Sequence, residues 1–290
     1  MSNGTMNITP SILSIAKLSP ADSATLTLLA IGTFILLLWI IVRVARWDKL
    51  SLKDTPSRPN SINILHIIGV LIVSLICGSV VGIAAARLQG IDLTKAKPTP
   101  PTVEIPATMF ADVVMIALSL AVGSMCFRWG IRRGLGLSGR RWLTDLARAI
   151  VAFFLAIPLC YLAEQLMQWV LPKSMLHVHS LLEFIPKANP AWLAIAIITA
   201  VILAPLAEEL FFRGLFQSMF RRLFNHPWWA ILATSAIFAA AHYTQPKDLL
   251  ALFVLSVVIG YNYERTGRLF SPILIHSLFN ATNFIIYMLH

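Results

Sequence analysis

Charge is what this chain has least of. Only 12% of its 290 residues are Asp, Glu, Lys or Arg, where a soluble domain carries about 25%, and mean hydropathy is +0.77. The shortfall excludes an ordinary water-soluble globule, because it comes from apolar runs long enough to span a bilayer. Cysteine is scarce too. Cys77, Cys126 and Cys160 lie alone in separate apolar runs, which excludes a disulfide framework or a Cys/His metal site and leaves three packed thiols. No H-E-x-x-H is present and no internal repeat. The first apolar run ends in R-V-A-R-W-D-K without a small-residue cleavage site, so it reads as a retained span and not a cleaved signal.

What is there is an all-α polytopic pattern. Residues 1–25 are polar, with N-x-T triplets headed by Asn3 and Asn7. Eight apolar spans follow, at 26–44, 63–86, 108–127, 146–171, 191–220, 228–243, 249–264 and 269–289. The expected organisation is one membrane domain: a polar segment 1–25, four helices over 26–190, and a core of four helices over 191–290. Between spans two and three, residues 92–107 read as an extended Pro-rich linker. Residues 172–190 read as a short interfacial helix.

Net charge is +10, which in a soluble chain points to nucleic acid, but its distribution points to a membrane. Loops after the odd-numbered spans hold fifteen Lys and Arg residues, the opposite side seven. The positive-inside rule then puts those odd loops in the cytoplasm and both termini outside, in what is expected to be a prokaryotic inner membrane. The basic loop I-R-R-G-L-G-L-S-G-R-R-W reads as an anchor to the anionic leaflet, with no nucleic-acid partner.

Ala204–Gly214, A-P-L-A-E-E-L-F-F-R-G, breaks the apolar rule most sharply. A carboxylate in hydrocarbon costs several kcal/mol unless paired, neutralised or wet, so Glu208 and Glu209 are functional candidates. Arg213 is four residues past Glu209, on one helical face with it, which predicts a structural ion pair. Glu208 points about 100° away and is free to act as a base. Two further polar sites follow. F-A-A-A-H puts His242 four residues after Phe238, with three alanines that admit a neighbouring helix, and H-S-L-F-N puts His276 and Asn280 on one face of the last span. Counted from the cytoplasmic ends at about 1.5 Å per residue, Glu208, His242, His276 and Asn280 sit roughly 20, 26, 12 and 18 Å deep, compatible with one shared level.

A carboxylate and an imidazole can hold and deprotonate a water, while a second imidazole and an amide can donate to a developing oxyanion, a combination suited to amide hydrolysis. The same groups admit another reading. Glu208, His242 and His276 are acceptable Zn²⁺ ligands with Asn280 completing or orienting the shell, and the spacing does not choose between metal-bound and directly activated water.

The three motifs, E-E-x-x-x-R at Glu208, Glu209 and Arg213, F-x-x-x-H at Phe238 and His242, and H-x-x-x-N at His276 and Asn280, resemble in order and spacing those of the CAAX protease and bacteriocin-processing family (CPBP, or Abi) of intramembrane endopeptidases. The resemblance covers about residues 190–290. It implies that Glu208 and His242 activate the water, that His276 and Asn280 stabilise the oxyanion, and that Glu209, Arg213 and Phe238 support the site. A membrane-associated peptide or protein is the implied substrate. Two rival expectations are a non-catalytic scaffold regulating a membrane partner and a proton-coupled transporter. Polar residues elsewhere read as structural: Glu164, Gln165 and Gln168 as an outer interfacial cap, and Tyr261 to Glu264 as an interfacial belt.

Overall fold

The computed structural model describes residues 19–45, 52, 55–56, 58–95, 99–137, 141–176 and 189–289. They form helices α1 (Pro20–Ala45), α2 (Ile64–Leu88), α3 (Pro101–Cys126), the short α4 (Gly130–Gly134) and α5 (Trp142–Val170). The last hundred residues give α6 (Pro190–Phe224), α7 (Pro227–Ala241), α8 (Leu249–Thr266) and α9 (Phe270–Met288). No strand occurs among the described residues; a single antiparallel bridge joins Asn60 to Phe127. The chain is a polytopic all-α membrane protein, and among the described residues α1, α2, α3 and α5 to α9 overlap the eight expected spans. Five of them, α1, α2, α3, α5 and α6, are long and apolar enough to cross a bilayer by length and composition, while α7 has 15 residues and is short.

One stretch departs from the pattern-based reading. The expected extended linker over 92–107 is helical from Pro101 onward. Pro101 occupies the first helical position, where a missing N–H costs nothing. Pro106 lies inside the helix and cannot donate to the carbonyl of Thr102, and the end of α2 compensates. Gln89 Nε2 donates to Thr102 O at 3.3 Å, while the Thr102 hydroxyl donates to Gln89 Oε1 at 2.7 Å. The proposed interfacial helix of 172–190 lies mostly outside the described residues, as do the Asn3 and Asn7 triplets.

Helix ends follow local chemistry. Asn63 caps α2 by accepting from the backbone N–H groups of Leu65 and His66, and the His66 ring accepts in return from the Asn63 N–H. Pro158 interrupts α5 and leaves the Phe154 carbonyl without its helical donor. Helix α1 crosses there through Gly32, where a Cβ would sit 2.7 Å from that carbonyl, so only glycine permits the approach. Two apolar cores result. One gathers Phe211, Phe212, Phe216 and Phe238 with Ile67, Leu135 and Leu269; the other joins α5, α8 and α9 through Phe153, Leu255 and Ile275.

The basic loops meet at one end of this bundle. Arg58 pairs with Glu264 at 2.6 Å and lies over the Tyr263 ring at 3.9 Å, Arg221 reaches Glu264 at 3.8 Å, and Gln217 donates to Glu264 at 3.0 Å. Arg268 grips Asp145 with two guanidinium N–H groups. Tyr263 and Glu264 are therefore buried, 0% and 1% exposed, and not the interfacial belt their sequence position suggests. Their counter-charge, Arg58, is far away in sequence, which is why spacing along the span concealed it. At the other end Glu164 accepts from Gln168 at 3.1 Å and lies 4.0 Å from Lys247.

Candidate active site

Helix α6 carries the first motif and is not uniformly wound. Ile198–Leu203 and Leu210–Gln217 are π-helical, and the α-helical piece Ala204–Glu209 lies between them. Wide turns of this kind displace the regular bonding ladder and free backbone groups for other partners. The Ala200 carbonyl uses that freedom, accepting from Asn280 Nδ2 of α9 at 2.9 Å. Ser218 Oγ does the same on the second wide segment, donating to the Arg213 carbonyl at 3.2 Å.

Glu209 and Arg213 form the expected pair at 3.2 Å, both side chains 0% exposed. Glu209 does more than that. Its Oε1 lies 2.9 Å from His276 Nδ1, so one carboxylate holds a guanidinium from its own helix and an imidazole from α9. A second guanidinium nitrogen of Arg213 donates to Ser256 of α8, to its carbonyl at 3.2 Å and to its hydroxyl at 3.0 Å. With Nδ1 engaged by Glu209, His276 turns Nε2 toward Glu208, whose Oε2 is 3.8 Å away. That is beyond a direct hydrogen bond and is a span that a bridging atom would fill. The Glu208 side chain is 23% exposed, against 4% for His276. Of the two acids, Glu208 is the one open to a ligand.

Phe238 is the hub of the cluster. Fully buried, its ring meets that of His242 at 4.9 Å, that of His276 at 5.7 Å and the Arg213 guanidinium at 5.1 Å. The F-x-x-x-H spacing has a second use. At the end of α7 the His242 N–H bonds to Ala239 O and leaves the Phe238 carbonyl to the His242 ring, whose Nδ1 lies 2.9 Å away. A carbonyl only accepts, so Nδ1 carries the hydrogen and Nε2 of the neutral ring keeps its lone pair. Asn280 sits one turn beyond His276 with one amide hydrogen on Ala200 and a second unassigned.

The structure thus gathers Glu208, Glu209, Arg213, Phe238, His242 and His276 directly, and ties Asn280 to the same helix pair. Glu208 and His242 do not bond to each other; His242 joins through Phe238. Among the described residues no three His, Cys, Asp or Glu side chains gather as a metal-binding group. Glu208 faces His276 at 3.8 Å, while His242 contacts the Phe238 ring and carbonyl. In the turn before α8, burial holds the Asp248 carboxyl above its usual range; Lys247 and His242 oppose the shift, and Glu164 adds to it.

Sequence reasoning missed Asp112. It stands on α3, 7% exposed, with the Glu208 carboxylate as its charged neighbour. The signal was available, since Asp112 is an isolated acid inside the third apolar span, the same anomaly that singles out Glu208.

Residues 190–282, about a third of the chain, match the family model described as type II CAAX prenyl endopeptidase Rce1-like. A 24.3 kDa protein of Escherichia coli, described as uncharacterized, is 36% identical over 85 residues, 28% of this chain and 39% of that protein. The UPF0177 protein YaiF of Lactococcus lactis subsp. lactis (strain IL1403) is 25% identical over 174 residues, 59% of this chain and 78% of its own length. The UPF0177 protein YbdI of the same strain is 26% identical over 107 residues, 37% of this chain and 56% of its own. The chain therefore spans well under half of the first relative and just over half of the third. No solved structure matches the chain. All seven motif residues lie within residues 190–282, the segment of this polytopic membrane protein that is similar to the Rce1-like, CAAX-protease type of family model.

Proposed function

We propose that the chain is an intramembrane endopeptidase that hydrolyses a peptide bond of a membrane-associated protein or peptide. One observation carries the reading. Of two adjacent acids, the buried Glu209 is committed to Arg213 and His276, while the half-buried Glu208 keeps an Oε2 with no hydrogen-bond partner, 3.8 Å from an imidazole nitrogen. Glu209 has an ion-pair partner within 3.2 Å, whereas Glu208 is partly exposed and has none closer than 3.8 Å.

The steps follow from the groups present. A water enters beside Glu208, which accepts a proton as the water oxygen bonds to the scissile carbonyl carbon, with His242 Nε2 holding the second hydrogen. The carbonyl electron pair moves to oxygen. That oxyanion accepts from Asn280 and from Nε2–H of His276 in its protonated form, whose other nitrogen Glu209 holds. As the tetrahedral centre collapses, the proton held by Glu208 passes to the amide nitrogen and the C–N bond breaks. Glu209 and Arg213 fix the ring and the helix pair and take no proton. The site opens to the cytoplasmic half of a prokaryotic inner membrane with both termini outside, which follows from the Lys and Arg asymmetry of the loops.

The test compares peptides recovered from membranes of cells making the wild-type chain, Glu208→Ala or His242→Ala. Products specific to the wild type and missing from both variants, at equal levels of folded protein, are expected. An identical peptide set in all three removes the reading, and in that case a phenotype that survives Glu208→Gln points to a scaffold.

A further inference from the structure

Building on the peptidase reading, the contacts around Arg213 bring in a side chain of α8 that no motif contains. Ser256 is fully buried and takes both directed hydrogen bonds that the guanidinium makes, Nη2 donating to its carbonyl at 3.2 Å and to its hydroxyl at 3.0 Å. The contact with Glu209 is of another kind. Arg213 Nε lies 3.2 Å from Glu209 Oε2, close enough for a charge pair, but among the described residues neither atom has an aligned hydrogen-bond partner, and nor does Nη1. Attraction to Glu209 therefore holds the guanidinium near, and Ser256 decides how it is turned.

That turn is passed on. A guanidinium is a rigid plane, so fixing Nη2 fixes where Nε sits. Nε faces one oxygen of Glu209, and the other, Oε1, lies 2.9 Å from His276 Nδ1. A carboxylate only accepts, so Nδ1 carries the hydrogen. The ring held in this way presents Nε2 to Glu208 at 3.8 Å. The run from Ser256 through Arg213 and Glu209 to His276 thus crosses from α8 by way of α6 to α9, with the Phe238 ring of α7 5.1 Å from the guanidinium. Ser256, Arg213 and Glu209 are 0% exposed and the His276 side chain 4%, so water does not compete for these bonds.

The neighbouring rung shows what packing alone requires. One turn further along both helices Gln217 Nε2 donates to the Gly260 carbonyl at 3.0 Å, and a Cβ on Gly260 would stand 2.9 Å from Gln217 Oε1. A backbone oxygen and a missing side chain are enough there. At Ser256 a side-chain oxygen is added, and it meets the cation that holds Glu209. We propose that Ser256 is a positioning residue whose hydroxyl sets the angle of the Arg213 guanidinium and, through Glu209, the angle at which His276 presents Nε2 to the reaction. It touches neither substrate nor water and exchanges no proton.

The chain has seven histidines, so isotope labelling of their ring nitrogens in the purified full-length protein in detergent gives few magnetic-resonance signals. The one missing from His276→Gln belongs to His276. In the wild type its Nδ1–H proton is expected far downfield, as a short bond to a carboxylate places it. Ser256→Ala is expected to move that signal upfield and broaden it, while Ser256→Thr, which keeps the hydroxyl, leaves it in place. On the peptide that Glu208→Ala fails to cut, Ser256→Ala is expected to lose about 10-fold in kcat, the worth of one hydrogen bond to a charged group. KM should change little, and Ser256→Thr should keep the wild-type kcat. A wild-type signal or wild-type kcat in Ser256→Ala, or a Ser256→Thr that behaves like Ser256→Ala, overturns the assignment. Normal cleavage by Glu208→Ala would instead sink the peptidase reading, with the ring signal still deciding whether Ser256 sets His276.

Discussion

Two buried charge clusters sit at different levels of the bundle and are built in opposite ways. At the end where the basic loops converge, Glu264 takes Arg58, Gln217 and Arg221, and Asp145 takes two N–H groups from Arg268. Cations and donors there outnumber acids. Around Glu208 the ratio inverts, and Asp112, Glu208 and Glu209 have one guanidinium, Arg213, for their ion pair. The acids that lock loops to helices each accept from two donors, Glu264 from Arg58 and Gln217 and Asp145 from two N–H groups of Arg268. Where acids outnumber their cations in an apolar interior is where chemistry is to be sought.

The sharpest way to break that contrast is to remove an acid from each cluster. Glu208→Ala is expected to lower cleavage by about 10²- to 10⁴-fold, the scale of a general base, with thermal unfolding in detergent little changed. Glu264→Ala should do the reverse. It strands Arg58, itself 8% exposed, and is expected to cost about 3–5 kcal/mol of stability while cleavage per folded molecule persists. Thermal unfolding and product counting on the same samples separate the two outcomes.

Smaller effects sharpen the same line. Arg268→Ala leaves Asp145, 0% exposed, without its guanidinium, and a loss of about 1–3 kcal/mol is expected in detergent unfolding. Least affected should be Gln89→Ala, which removes the side chain that answers Pro106. A loss of roughly 1 kcal/mol or less is expected at this exposed site, visible as faster amide exchange over the first turns of α3.

Much of this was legible from residues alone, for physical reasons. Lipid tolerates so little polarity that the spans announce themselves, and a pair of acids at Glu208 and Glu209 stands out against Leu206 and Phe211 without any fold in hand. The Glu209–Arg213 pair was readable because both partners lie on one turn of helix. Its bond to His276 was not, since that partner arrives from a helix 67 residues away. Tyr263 and Glu264 were misread for the same reason, with Arg58 arriving from before α2. The Pro-rich run was misread because a proline count cannot see Gln89 waiting to replace the missing donor. Asp112 is a different case, an acid whose anomaly was visible in its own span but which belongs to no motif.

The wide windings on either side of Ala204–Glu209 give this site slack in its gearing. A π-turn is what one surplus residue does to an α-helix, so trimming a residue from Ile198–Leu203 would let the coil tighten and leave the two acids facing where they do now. The casualty would be the loosened carbonyl of Ala200, and with it the tether that Asn280 ties to α6. A residue inserted between His276 and Asn280 has no such reserve to draw on. It would swing the amide about 100° around α9 and out of line with the imidazole it accompanies.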